Sequence, residues 1–201
     1  MNAAGVIALG TFGVLVALMA RAFMGNKPPI PGALPAAPPY TGPLPKGITA
    51  EMYSSAKKWA AKRGLPLPWV LTTIINESSA NPRAVGDQGR SYGLMQVNHT
   101  AHMDRLAKYG MTPDDLFIVD KNIMVGTEIM REFYDQIVKI LAGRPAPADM
   151  GVLLRLYYRG PSLVAKALRE NPPRDPTPTF PQGPESANKW ASTLSKVQHI
   201  A

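Results

Sequence analysis

The sequence contains no cysteine. That excludes disulfides, thiolate-bound zinc, iron–sulfur clusters and thiol nucleophiles together, and it makes the chain indifferent to the redox state of its compartment. Acidic residues are missing from the first 47 positions, and the first 20 carry no charged side chain of either sign. No run of five like charges occurs, so there is neither an acidic tail nor a basic arm. Alternating apolar and polar residues are hardly visible, which argues against an extensive sheet. Of the three histidines, His99 and His102 stand three apart. Zinc would need a third ligand and none is placed nearby, so no metal or other cofactor is expected.

What is present is 201 residues with a net charge of +8, 45% apolar and 18% charged. That is one globular domain's worth of chain with room for appendages. The positive excess is spread along the sequence, and a diffuse basic surface suits any polyanion. No helix-turn-helix signature or interleaving of aromatic and basic residues supports nucleic acid, which is not expected as a partner.

Proline marks the boundaries, with eight of the 21 in residues 25–47 and six in 172–184. Proline-rich chain cannot form helix or interior strand, so 25–47 reads as an extended spacer reaching about 50–60 Å. Before it, residues 3–20 are apolar or small. That is roughly 27 Å as a helix, near the minimum for a bilayer core. Residues 1–24 are expected to be a transmembrane helix with Arg21 and Lys27 as interfacial anchors. No Lys or Arg precedes the apolar run, unlike the start of a cleaved signal. By the positive-inside rule, those two cations argue against ordinary insertion with the following domain outside. Residues 172–201 read as a proline-rich segment and a short amphipathic helix around Trp190.

The domain between, 48–171, reads as helical throughout. Helices are expected over 48–63, stopped by Gly64; over 69–77, opened by Pro68 and ended before Asn81-Pro82; and over 100–110, capped by Thr100. Thr112-Pro113 opens a short turn of helix. Asp120 is expected to cap the longest helix, over 121–142, with Ile123, Met130, Phe133, Ile137 and Leu141 near one face. Further helices are expected over 148–159 and from Ser162.

Glu77 closes the apolar run Trp69-Val70-Leu71-Thr72-Thr73-Ile74-Ile75. A carboxyl there would be partly desolvated, which favours the protonated form needed to protonate a glycosidic oxygen. On periodicity alone it reads equally as a solvated residue at a helix end. Glu77-Ser78, then Gly86-Asp87-Gln88-Gly89-Arg90-Ser91-Tyr92-Gly93-Leu94-Met95-Gln96-Val97-Asn98, then Asn122-Ile123 with Gly126, then Tyr157 with Gly160-Pro161, together resemble the lysozyme-like superfamily of goose-type lysozymes and soluble lytic transglycosylases (SLT). The likeness covers about residues 50–170, and the loop is nearer the goose-type branch.

The resemblance implies a mainly α, lysozyme-like (goose-type/SLT) helical domain that cuts the MurNAc–GlcNAc β-1,4 bond of peptidoglycan glycan strands. It implies Glu77 as the acid and Asp87 as a second acid holding the attacking water. Goose-type enzymes offer another acid directly after Gln-Val, and here that place is Asn98, which can position a water but not act as a base. Ser78, Met95, Gln96, Asn98 and His102 would lie along the sugar groove, and Tyr157 would hold the catalytic carboxyl. Asp87 reads also as an Asx-turn residue, Met95 as ordinary core and Tyr157 as a core tyrosine. Tyr158 stands where the family has Asn, a departure at the local sugar contacts.

With its anchor and spacer, the chain is expected to be membrane-anchored or carried in a phage virion, with the domain facing the periplasm or cell wall and other virion proteins as partners. The alternative is a catalytically inactive, membrane-anchored structural or ejection component of a virion.

Overall fold

A computed structural model of the chain describes residues 42–141, 161–170 and 183–200. The expected membrane helix (1–24), most of the spacer, the expected helix over 148–159 and Tyr157 lie outside the described residues. Among those described, no helix is long and apolar enough to cross a membrane.

Among the described residues six α-helices carry the fold: α1 (Ala50–Arg63), α2 (Leu67–Ser78), α3 (Met103–Lys108), α4 (Val119–Leu141), α5 (Pro161–Arg169) and α6 (Gly183–Val197). Thr49 starts α1 by accepting the Met52 N–H at 3.2 Å, and Gly64, left-handed at φ 62°, ends it. Met52, Ala56, Trp59 and Ala60 recur at three- and four-residue spacing and face the core. The helix α2 is different, because Pro68 and every residue from Val70 to Ile74 is buried. A helix apolar almost all round belongs in the middle, and α1 and α6 pack against it while α1 also packs along α4. Val70, Leu71 and Ile74 are 0% exposed, each contributing about 1.5–3 kcal/mol by leaving water.

The structure departs from the sequence expectation in four places. The domain is not helical throughout: β1 (Val85–Gly86), β2 (Ser91–Tyr92) and β3 (Val97–Asn98) form an antiparallel sheet in the order β1-β2-β3, with Val85 opposite Tyr92 and Tyr92 opposite Val97. Strands of two residues are too short for alternation to show. The third helix starts at Met103 rather than near Thr100. The turn before it is made by Asn98, whose Oδ1 accepts the Ala101 N–H at 3.0 Å. Asp120 lies inside the first turn of α4 rather than capping it. Its carboxylate accepts Trp59 Nε1–H at 2.9 Å and the Ser55 hydroxyl, and pairs with Lys58 at 2.5 Å. It therefore ties α4 to α1 instead of to its own backbone. Ser162 lies within α5, which begins at Pro161. Thr112-Pro113 opens a short 3-10 turn, Pro113–Phe117, as expected, and the Thr112 N–H donates to the Asp115 carboxylate at 2.8 Å.

One cluster of buried charge links three helices. Glu128 of α4, only 7% exposed, accepts Arg63 at 2.6 Å, Arg105 at 2.5 Å and the Tyr109 hydroxyl. Arg105 also grips Glu132 with both terminal nitrogens, at 2.9 and 2.6 Å. Burial works against ionisation of Glu128, but the Tyr109 hydroxyl and the charges of Arg63, Arg105 and Lys108 outweigh it and hold the carboxyl below its ordinary value of 4.5. Lys121 and the Thr112 backbone similarly hold the Asp115 carboxyl at about 2.

Depressed carboxyl values stabilise the fold above their unfolded values, and that contribution disappears as pH falls through the folded ones. The urea midpoint is therefore expected to fall once pH drops below about 4.5. Glu128→Gln should lower stability at pH 7 by about 3 kcal/mol, because Arg63 loses its carboxylate partner and Arg105 keeps only Glu132. It should also flatten the acid dependence. An acid limb as steep as that of the unaltered chain would show that Glu128 does not carry the effect.

Candidate active site

Glu77 lies in the last turn of α2, half-buried where the most apolar helix of the fold reaches its end. Next to it, the Ser78 hydroxyl donates to Ile74 O at 3.0 Å, so it is engaged with its own helix. The chain then turns through two consecutive left-handed residues that are not glycine, Ser79 at φ 53° and Ala80 at φ 61°. Each costs about 1–2 kcal/mol. The Ser79 N–H closes on Ile75 O at 3.0 Å, while Ala80, 7% exposed, seats against Gly47. A Cβ at Gly47 would stand 3.2 Å from that of Ala80, and its φ is 88°. The turn after the acid is thus held by tertiary packing in a conformation its own residues disfavour.

The small sheet carries the other candidates. Asp87 opens the connection from β1 to β2 at φ 50° and is exposed, and its Oδ2 accepts the buried Ser91 hydroxyl at 2.5 Å. Its backbone oxygen accepts Arg90 Nε–H at 3.0 Å. Gln96, at φ 46°, donates through Nε2 to Gly93 O at 2.9 Å and to Ala84 O at 3.2 Å. A Cβ on Gly86 would lie 2.2 Å from Gln96 Oε1, so a larger residue there would push the end of the Gln96 side chain aside. Both Gln96 amide hydrogens are spent stitching the sheet, which leaves its oxygen as the group able to meet a ligand.

Asn98 is half-buried and committed to its turn. His102, at the head of α3, is half-buried, and burial first, then Arg105, lower its basicity against the opposing pull of Glu132. His99 approaches Gly89 O at 3.1 Å through Nε2 and packs on Tyr92, which stacks in turn on Phe117, each pair with centroids 4.7 Å apart. Among the described residues no group of three His, Asp or Glu is placed to hold a metal ion.

Met95 is 1% exposed, with its side chain filling the space over Gly126. A Cβ at Gly126 would meet its sulfur at 2.5 Å. In this conformation Met95 is core, not groove lining. Asn122, also 1% exposed, accepts the Met95 N–H at 2.8 Å and donates to Tyr92 O at 2.9 Å and Leu116 O at 2.7 Å. Gly93, at φ 74°, has Leu116 O and Asn122 Nδ2 within 2.3 Å of where a Cβ would stand. The Gly-Leu-Met-Gln segment and the Asn-Ile-x-x-Gly segment therefore interlock, with one buried amide and two missing side chains as the fit.

Sequence reasoning marked Asn122 and Gly126 by resemblance without foreseeing this interlock. The signal was a polar residue amid the apolar positions of a long helix. The Tyr92 stack was missed because its three rings come from separate segments.

The family model described as "Transglycosylase SLT domain" matches residues 54–177, which contain Glu77, Asp87 and the interlocked segments. Among curated proteins none matches the chain.

Asn122→Ala should leave one buried N–H and two carbonyls without their partner, at a combined cost of at least about 2 kcal/mol. The expected result is a lower urea midpoint, with faster hydrogen exchange at Met95 than at core amides of α1. Exchange at Met95 as slow as in the unaltered chain would mean that the amide does not hold the loop.

Proposed function

The chain belongs to the SLT transglycosylase family, and on that premise we propose that it cuts peptidoglycan glycan strands between MurNAc and GlcNAc, with Glu77 as the acid. The SLT domain supports lytic transglycosylase activity on peptidoglycan. The observation that carries the assignment of the acid is the position of Glu77. It is a half-buried carboxyl in the last turn of the most buried helix among the described residues, inside the matched residues.

The chemistry follows from that position. The protonated Glu77 carboxyl donates its proton to the bridging oxygen, and the bond from that oxygen to the MurNAc C1 breaks with its electron pair leaving to the GlcNAc hydroxyl. Positive charge develops at C1, where the Glu77 carboxylate now stands as base. In one outcome the MurNAc 6-hydroxyl attacks C1 and returns its proton to Glu77, leaving an anhydro end. In the other, water attacks and leaves a reducing end. Asp87, whose carboxylate is exposed and oriented by Ser91, would hold that water in an inverting reaction. Gln96 Oε1, Ser78, Asn98 and His102 would contribute polar contacts to the sugars around the acid, and Tyr157 would steady its carboxyl.

The apolar segment 1–24 and the spacer would tether the domain to a bilayer across about 50–60 Å, a distance suited to a wall standing off from a membrane. Delivery by a phage particle fits the charge pattern better than resident insertion, because Arg21 and Lys27 follow the apolar run.

Glu77→Gln keeps the shape and removes the proton, so cleavage of purified sacculi should fall at least about a hundredfold with the fold intact. In the same assay, mass spectrometry of the products reads the role of Asp87. If Asp87 holds water, Asp87→Asn should abolish reducing ends and spare anhydro ends, which are lighter by one water. Clearance by Glu77→Gln at the unaltered rate would sink the assignment of the acid, and an unchanged yield of reducing ends would remove Asp87 from the mechanism.

The anchor is read by flotation with vesicles. The full chain should float or stay particle-bound, and a chain begun at Lys46 should remain soluble and active without detergent. A full chain that is soluble, intact and unassembled would remove the anchor.

A further inference from the structure

The family match ends at residue 177, yet α6, from Gly183 to Val197, completes the core around α2. Trp190, Val197 and Ile200 are at most 1% exposed, and Ala187 and Leu194 pack partly buried beside them. Their three- and four-residue spacing gives α6 one apolar face, which lies along the helix that carries Glu77. Within this face sits one polar residue, Thr193, 8% exposed. Its hydroxyl donates to Asn76 Oδ1 at 2.9 Å. One turn earlier on α6, Lys189 Nζ stands 3.4 Å from the backbone oxygen of the same Asn76.

We propose that α6 is a positioning element for the acid, with Thr193, assisted by Lys189, holding the last turn of α2 through Asn76 and so setting where the Glu77 carboxyl points. The inference rests on the reading of Glu77 as the acid.

Three features carry it. First, Asn76 and Glu77 are consecutive residues of one helical turn, about 100° apart around the axis. Any rotation or fraying that moves Asn76 moves Glu77 with it. Second, the carbonyls of a last helical turn lack partners within the helix. A lysine there supplies a hydrogen bond and a charge suited to the negative end of the helix dipole. Third, the chain leaves this turn through Ser79 and Ala80 in left-handed conformations, so the turn needs holding from outside.

Packing alone does not account for Thr193. Valine has nearly the same shape, and a buried hydroxyl is unfavourable unless it is bonded. Here its bond goes to the residue beside the acid. The Asn76 amide has its Nδ2 buried without a partner among the described residues, so the Thr193 hydroxyl is what orients that side chain.

The test is steady-state cleavage of a glycan-strand oligomer by the full chain, with kcat expressed per folded molecule. Thr193→Val should lower kcat about tenfold and leave KM within about twofold, as expected for misplacement of a reacting group rather than loss of substrate contacts. It should also move the basic limb of the pH–rate profile, which reports the acid. Thr193→Ser, which keeps the hydroxyl, should restore both. Thr193→Ala removes the hydroxyl with less steric disturbance and provides the same comparison if the valine variant does not fold.

Unaltered kcat and pH profile in Thr193→Val or Thr193→Ala would overturn the proposal. So would a loss explained wholly by unfolded protein, or a serine variant no better than valine. Glu77→Gln run beside them separates the two readings. If it cleaves normally, the assignment of the acid falls and this inference with it. If it is dead while the Thr193 variants are normal, only the inference falls.

Discussion

The buried amide of Asn122 is the constraint on which the rest of the candidate site depends. It meets three backbone groups from two stretches of chain: Tyr92 and Met95 in one and Leu116 in the other. An amide has one acceptor oxygen and two donor hydrogens, and here each finds a partner within 2.9 Å. The fit requires close approach, which is why Gly93 and Gly126 stand where any side chain would collide. A sheet of two-residue strands has little stability of its own. It persists because this amide, together with that of Gln96, replaces the pairing that longer strands would provide.

Around this joint the molecule separates support from chemistry. The charge cluster of Glu128, Arg63, Arg105, Tyr109 and Glu132 lies between α1, α3 and α4, where it fixes the order and angle of those helices. Its members are mutually paired, as buried charges must be. The carboxyl at the end of α2 has a different setting, half-buried next to a polar loop.

The end of α2 is also where local preference and tertiary demand disagree. Serine and alanine are poor left-handed residues, and Ser79 and Ala80 are both held there. Gly47 on one side receives Ala80, while α6 on the other grips Asn76. Energy from core burial is in this way directed to the geometry of a single turn. The helix that helps do so lies outside the matched family region, so a segment that reads as a tail is part of the site's frame.

Much of this was legible in the residues themselves. Thr49 and Gly64 delimit α1, Pro68 opens α2 and the Thr112-Pro113 pair opens its turn, because capping and proline chemistry act over three or four residues and need no distant partner. The ordered motifs marked the family. The sequence could not reveal which polar residues reach across the fold. Asp120 looked like a cap and became a tie to Trp59 and Ser55. Met95 looked like groove lining as readily as core, and the space over Gly126 decided it. The Asn122 contacts with Met95 and Tyr92 and the Thr193–Asn76 contact join residues at least 27 positions apart, and the small sheet is built of strands too short to show a period. Local rules placed the start and end of α1 and the turn opened by Thr112-Pro113. Only the tertiary structure decided which buried amide, hydroxyl and carboxylate meet, because a buried polar group must find its partner wherever packing brings one within reach.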